Sequence, residues 1–136
     1  LQAEGMGCIA FSPLAQGLLT DRYLNGVPAD SRMNRPGGQS LKVDHVSPEN
    51  VAWIKGLNDI AAQRGQTLAQ MAVAWVLRDP RVTSALIGAS KPAQISELVG
   101  AVKNLNFDAA TLSAIDELAV DGGVNLWQNP STDQRP

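Results

Sequence analysis

Apolar and polar residues along this chain follow several periods in turn, and each change of period marks an element. The segment "GMGCIAF" is short, apolar and bracketed by glycines, which predicts a fully buried parallel strand over 7–12. A helical period begins after residue 46. Ser47 can cap it, Pro48 suits its first position, and Val51, Ile54, Leu57, Ile60 and Ala61 share one face until Gly65 closes the element. Thr67 and Gln70 make a capping box for a second helix, with Leu68, Met71, Ala72, Trp75 and Val76 on its apolar face and Asp79-Pro80 at its end. "VTSALIG", from Val82 to Gly88, is a second apolar run rich in strand formers. After "ASKP" a third helix is expected to bury Ile95, Leu98, Val99 and Val102. A fourth begins at Asp108, where Phe107 and Leu112 can form a hydrophobic staple; it runs past Ile115 to Leu118 and stops near Gly122 and Gly123.

Periodicity is lost between the first strand and the first helix. Residues 21–46, "DRYLNGVPADSRMNRPGGQSLKVDHV", carry prolines, glycines and three arginines, and a connection this long inside a compact domain is usually functional or disordered. At the start, "LQAEG" reads as the last turn of a helix closed by Gly5, without an initiator methionine, so the chain is expected to be the C-terminal part of a longer protein. Near the end, Leu126 and Trp127 are expected to dock on the body, and the tail 128–136 to be mobile.

The order of elements is helix end, strand, long loop, two helices, strand, helix, helix. This βα alternation predicts the α/β class, with a parallel sheet covered by helices. Two strands cannot make a sheet that buries both faces, and a (β/α)8 barrel needs eight, so the others would have to come from outside this chain. The pattern by itself fits a barrel and a doubly wound sheet equally.

Composition narrows the partners. A net charge of -2 without a basic stripe argues against a nucleic-acid partner. The one cysteine, Cys8, sits in an apolar run, so neither a disulfide framework nor a cysteine metal cluster is expected, which suits a reducing cytoplasm. The longest apolar runs are too short to span a bilayer and nothing reads as a leader, so the expected location is cytoplasmic, with no membrane partner.

Chemistry in such an architecture belongs to the carboxyl ends of the strands. At the first, "SPLAQG" offers the Ser12 hydroxyl, backbone amides around Leu14 to Gly17, and Arg22 within reach, which are the parts of a phosphate cradle. An ordinary βα turn with a solvated arginine fits that spacing equally. At the second, "GASKPAQISE" places Gly88 for close approach, Ser90 as an N-cap and Lys91 at a helix N-terminus, where anions are attracted; a capped helix with a surface lysine fits equally. Two such loops on consecutive strands favour a phosphate-bearing ligand.

The segments "GCIAFSPLAQGLLTDRYLNGVPADSR", "QTLAQMAVAWVLRDPRVTSALIGAS" and "NLWQ" resemble the C-terminal portion of the aldo-keto reductases, in the branch related to potassium-channel β subunits. The resemblance extends over nearly the whole chain. It implies an NADPH-dependent carbonyl reductase on a (β/α)8 TIM barrel, with residues 1–136 supplying the seventh and eighth strands, their helices and the C-terminal helix. In the family the first motif lies along the cofactor pyrophosphate, and Ser12, Pro13, Leu14, Ala15, Gln16 and Gly17 match it. Basic residues that follow meet the adenosine end, and Arg22 and Arg32 stand at those places. Gly88 to Gln94 match the loop that holds the adenine ribose and its 2′-phosphate, with Ser90, Lys91, Gln94 and Glu97 as the contacts. An arginine fork suits a phosphate dianion, which favours NADP(H) over NAD.

Two positions depart from the family pattern: Leu98, where relatives often carry asparagine, and Asp21, usually glycine, beside Arg22. Either is expected to weaken the hold on the cofactor. In the family a tyrosine acid, supported by lysine, aspartate and histidine, protonates the carbonyl oxygen as hydride arrives from the nicotinamide, and all four come from the first half of the barrel. No catalytic residue is therefore expected here. Tyr23 reads as a packing or loop residue, His45 as a loop anchor, and Trp53, Trp75 and Trp127 as core or docking residues. The implied partners are a small aldehyde, such as methylglyoxal or glyceraldehyde 3-phosphate, and the N-terminal half of the same barrel, with a homo-oligomer left open. The alternatives are an NADPH-sensing regulatory subunit and an inactive fragment whose unclosed sheet self-associates.

Overall fold

The computed structural model describes residues 1–29, 31, 34 and 41–120. Arg32, Gly122, Gly123, Leu126, Trp127 and the 128–136 tail lie outside the described residues. The chain opens with a 3-10 turn, Gln2–Glu4, closed by Gly5 at φ 64°, the left-handed conformation expected for a helix end. Strand β1, Cys8–Phe11, follows and stops where Ser12 takes a φ of 53°. Helices α1 (Pro48–Gln63) and α2 (Leu68–Leu77), strand β2 (Val82–Leu86), and helices α3 (Pro92–Val99) and α4 (Ala109–Leu118) complete the order.

The two strands pair in parallel, as the alternation requires, with Ala10 opposite Ala85 and Phe11 opposite Leu86. The register slips between Cys8 and Ile9, since Cys8 faces Val82 while Ile9 faces Ser84. Ala85, together with Ile87 just beyond the strand, packs on the cluster around α2. On the other face Ile9, Phe11 and Leu86 are 69%, 60% and 63% exposed. The expectation of a strand buried on both faces is therefore not met, because among the described residues helices cover one side of the pair.

Helix α2 organises the rest. Its capping box forms as expected, with the Thr67 side chain accepting from Gln70 N and the Gln70 side chain from Thr67 N. Leu68, Ala69, Met71, Ala72, Val73 and Ala74 are all buried, a wider surface than the single face read from the sequence, while Trp75 and Val76 are half-buried. The reason is that α2 lies between two apolar clusters. Leu68 and Met71 pack with Leu18, Tyr23, Leu41, Ile54, Leu57, Ala61 and Ile115, whereas Ala69, Val73 and Ala74 pack with Leu98 and Ala101.

Helix α1 has the Ser47 cap, Pro48 at its first position, and Ile54, Leu57 and Ala61 buried. It lies close to α4 at Gly56, where a Cβ would come within 2.8 Å of the Leu118 side chain. Helix α4 starts at the predicted Asp108, whose side chain accepts from Thr111 N. In α3 only Leu98 is buried; Ile95, Val99 and Val102 are exposed. That expectation also fails, since among the described residues α3 packs on α2 and the following 3-10 turn Gly100–Lys103, and those neighbours take up a single face.

Candidate functional site

Parallel pairing brings the two loops named from the sequence to one edge of the sheet. Phe11 and Leu86 are partners; Ser12 follows the first directly, and Gly88 lies two positions beyond the second. This carboxyl edge is where ligands sit on parallel α/β sheets.

The loop 12–19 is held in an uncommon backbone. Ser12, Ala15 and Gln16 have φ of 53°, 45° and 58°, and Gly17 has 98°. Glycine takes such values freely, while each L-residue there costs about 1–2 kcal/mol. Local bonds and packing offset that cost. Ala15 N donates to Ser12 O at 3.0 Å, Gly17 N to Leu14 O at 2.8 Å, and Leu18 N to Ala15 O at 3.2 Å. Leu14 packs on one apolar cluster while Ala15 and Leu18 pack on the other, so the loop straddles α2's two sides. The amides of Ala15 and Gly17 are thus taken by the turn itself, and of the amides expected to be open those of Leu14 and Gln16 are left, as far as the described residues go.

Gln16, expected as a ligand contact, has its side-chain oxygen on Leu41 N at 3.2 Å, joining the loop to the far end of the 21–46 connection. The near end is fixed too. Thr20 Oγ1 donates to Gly17 O at 2.7 Å and accepts from Arg22 N at 3.3 Å, which sets Asp21–Tyr23 as a 3-10 turn with the Arg22 side chain exposed. Tyr23 is buried, its hydroxyl 3.3 Å from Ser31 Oγ. His45 Nδ1 accepts from Lys42 N at 3.0 Å, and its carbonyl accepts from Asn50 Nδ2. The tyrosine and the histidine therefore serve packing and loop anchoring, as expected.

At the second loop Gly88 faces open space: a Cβ there would meet nothing within 4 Å. The close approach expected of this glycine is not made by the chain itself. Ser90 is not the N-cap of α3; that position belongs to Lys91, and Pro92 opens the helix. Capping comes from downstream, because Gln94 Oε1 accepts from Ser90 N at 2.8 Å, Lys91 N at 3.1 Å and Ser90 Oγ at 3.2 Å. Lys91 is exposed. Glu97 turns toward α2, with Oε1 accepting from Thr67 Oγ1 at 2.8 Å while its carbonyl accepts from Gln70 Nε2 at 2.8 Å.

The Leu14 and Gln16 amides of the first loop, with the exposed side chains of Arg22 after that loop and Lys91 on the second, are groups that can hold an anion. The hydroxyl of Tyr23 does not reach this edge, since it is buried on Ser31. Groups with shifted titration lie elsewhere. Bonds from Arg81 hold the Asp79 carboxyl below the usual carboxylate range, and the Thr111 amide lowers Asp108, both as parts of helix ends. Among the described residues no cluster of His, Cys, Asp and Glu could hold a metal ion, and no helix is long and apolar enough to cross a membrane. Sequence reasoning missed Leu41 and Ser31, which pin the connection. Neither belongs to a periodic pattern or a turn motif that would have marked it.

The profile described as "Aldo/keto reductase family" matches residues 1–120. The chain is 52% identical, over 133 residues and 96% of its length, to L-glyceraldehyde 3-phosphate reductase of Escherichia coli (strain K12), and 51% identical to the protein of that name from Escherichia coli O157:H7. It spans 38% of the length of each of these relatives.

Proposed function

The chain belongs to the aldo/keto reductase family, and on that premise we propose that it contributes the cofactor-clamping end of an NADPH-dependent reductase of small aldehydes. In this reading β1 and β2 are the last two strands of a (β/α)8 barrel, and the bare face of Ile9, Phe11 and Leu86 turns toward the barrel interior. The observation that supports it is the parallel register, which sets the loops after Phe11 and after Leu86 at one edge.

The residues fit such a ligand. The 12–17 loop would lie along the pyrophosphate, and the Leu14 and Gln16 amides would donate to it. Arg22, with Arg32, would meet the adenosine end. Ser90 and Lys91 would hold the 2′-phosphate, and the open space at Gly88 leaves room for the ribose. NADPH, when bound, supplies the hydride. What the chain's own residues supply is charge neutralisation and orientation, because a dinucleotide held at its phosphates presents its nicotinamide in one place. The proton donor belongs to residues outside this chain. Small aldehydes, phosphorylated ones among them, are the proposed substrates, a class suggested by the relatives' name.

The test is a fluorescence titration of the intact protein with NADPH and NADH. Arg22→Ala and Lys91→Ala are each expected to weaken NADPH by roughly 10- to 100-fold, as for loss of a charge-assisted hydrogen bond, and to change NADH far less. Equal loss for both cofactors would remove the 2′-phosphate assignment, and no binding of either would overturn the proposal. Steady oxidation of NADPH with glyceraldehyde 3-phosphate would argue for a reductase; binding without turnover would favour a nucleotide-sensing role.

A further inference from the structure

We propose that the Gln16 side chain is a positioning group: it ties the loop 12–19 to the far end of the 21–46 connection and does not itself touch the ligand, leaving any ligand contact at Gln16 to its backbone amide. The proposal rests on reading 12–17 as the cofactor loop. Gln16 holds φ 58° and ψ 27°, a conformation that favours glycine, and the neighbouring Gly17 shows that the chain admits glycine in this turn. The glutamine there makes a bond that glycine could not, from Leu41 N to Gln16 Oε1 across 25 residues. Leu41 is a fixed post: its side chain is 3% exposed and packs in the cluster with Leu18 and Tyr23. That cluster joins the loop at Leu18, the front of the connection at Tyr23 and its rear at Leu41. Beyond Leu41 the chain stays anchored, through Lys42 N on His45 Nδ1 and Asn50 Nδ2 on His45 O, into the first turn of α1. Gln16 therefore links the sheet edge to α1, and its backbone amide is aimed by the bond its side chain makes.

A clasp and a ligand contact answer differently to Gln16→Glu. A carboxylate can still accept from Leu41 N, yet a carboxylate against a pyrophosphate would repel it. The experiment uses the intact protein with Gln16→Ala and Gln16→Glu. It reads hydrogen exchange at the Leu41 amide, the NADPH dissociation constant, and kcat against KM for NADPH. Gln16→Ala is expected to lose protection at Leu41 and to weaken NADPH about three- to tenfold, the scale of one hydrogen bond, read mainly as a rise in KM for NADPH. Gln16→Glu should restore both protection and affinity to near the parent's. If Gln16→Glu binds NADPH more weakly than Gln16→Ala while Leu41 stays protected, Gln16 is a ligand contact and the proposal falls. Unchanged Leu41 exchange in Gln16→Ala overturns it as well. Should the parent protein not bind NADPH at all, the cofactor reading fails by itself, and Leu41 exchange in the two variants still decides the clasp.

Discussion

Leu98 occupies a place where asparagine is frequent in the family motif, and its surroundings give the leucine a role of its own. It is 5% exposed and packs with Ala69, Val73, Ala74 and Ala101, so its side chain is directed into the α2 cluster. Leu98→Asn would remove apolar volume and bury an amide without partners. The expected outcome in the intact protein is a loss of about 2–5 kcal/mol, the range for emptying a core leucine site, measured by urea denaturation. A variant as stable as the parent would show that the cluster can reopen around a polar group. The same residue-scale logic separates Glu97 from a simple contact residue, since one of its oxygens is engaged by Thr67 before any ligand arrives.

Among the elements, α2 is the one on which both loops depend, through Leu14 and Ala15 from the first and the Glu97 bonds from the second. Thr67→Ala removes the cap of α2 and the hydroxyl that meets Glu97. A fall of about 1–2 kcal/mol is expected, where an isolated cap costs near the lower figure; circular-dichroism melting of the intact protein checks it. How legible all this was depended on how local the cause is. The caps at Ser47, Thr67 and Asp108 and the end at Gly5 were readable because a side chain or a glycine acts within a few residues. The burial of α2 on two sides and the exposure of α3 were not, since periodicity names an apolar surface and not what covers it. In the site, the two loops were legible as turn chemistry at strand ends. The left-handed Ser12, Ala15 and Gln16 were not, because only glycine announces such a backbone in advance, and the Gln94 cap of Ser90 and Lys91 was hidden behind the more usual serine.

For the molecule as a whole the uncovered sheet decides behaviour. Burying a side chain of the size of Ile9, Phe11 or Leu86 is worth about 1.5–3 kcal/mol each, and with 69%, 60% and 63% of them exposed much of that gain is not made. Among the described residues the sheet has two strands, β1 beside β2, and so has two edges. The 136-residue chain produced alone is expected to self-associate, which sedimentation velocity over a concentration series would reveal; a monodisperse, cooperatively melting monomer would contradict it. The slip in register below the site leads further. Because Cys8 faces Val82 while Ile9 faces Ser84, Thr83 has no counterpart across the ladder, and a Cβ on Gly7 would run into its side chain. Strand β2 therefore has slack of one residue at its amino end and none at its carboxyl end. Insertions or losses near Thr83 can be absorbed with Ala85 still turned to the helices, whereas a change of length between Ala85 and Gly88 would put the strand out of phase and carry its loop away from its neighbour.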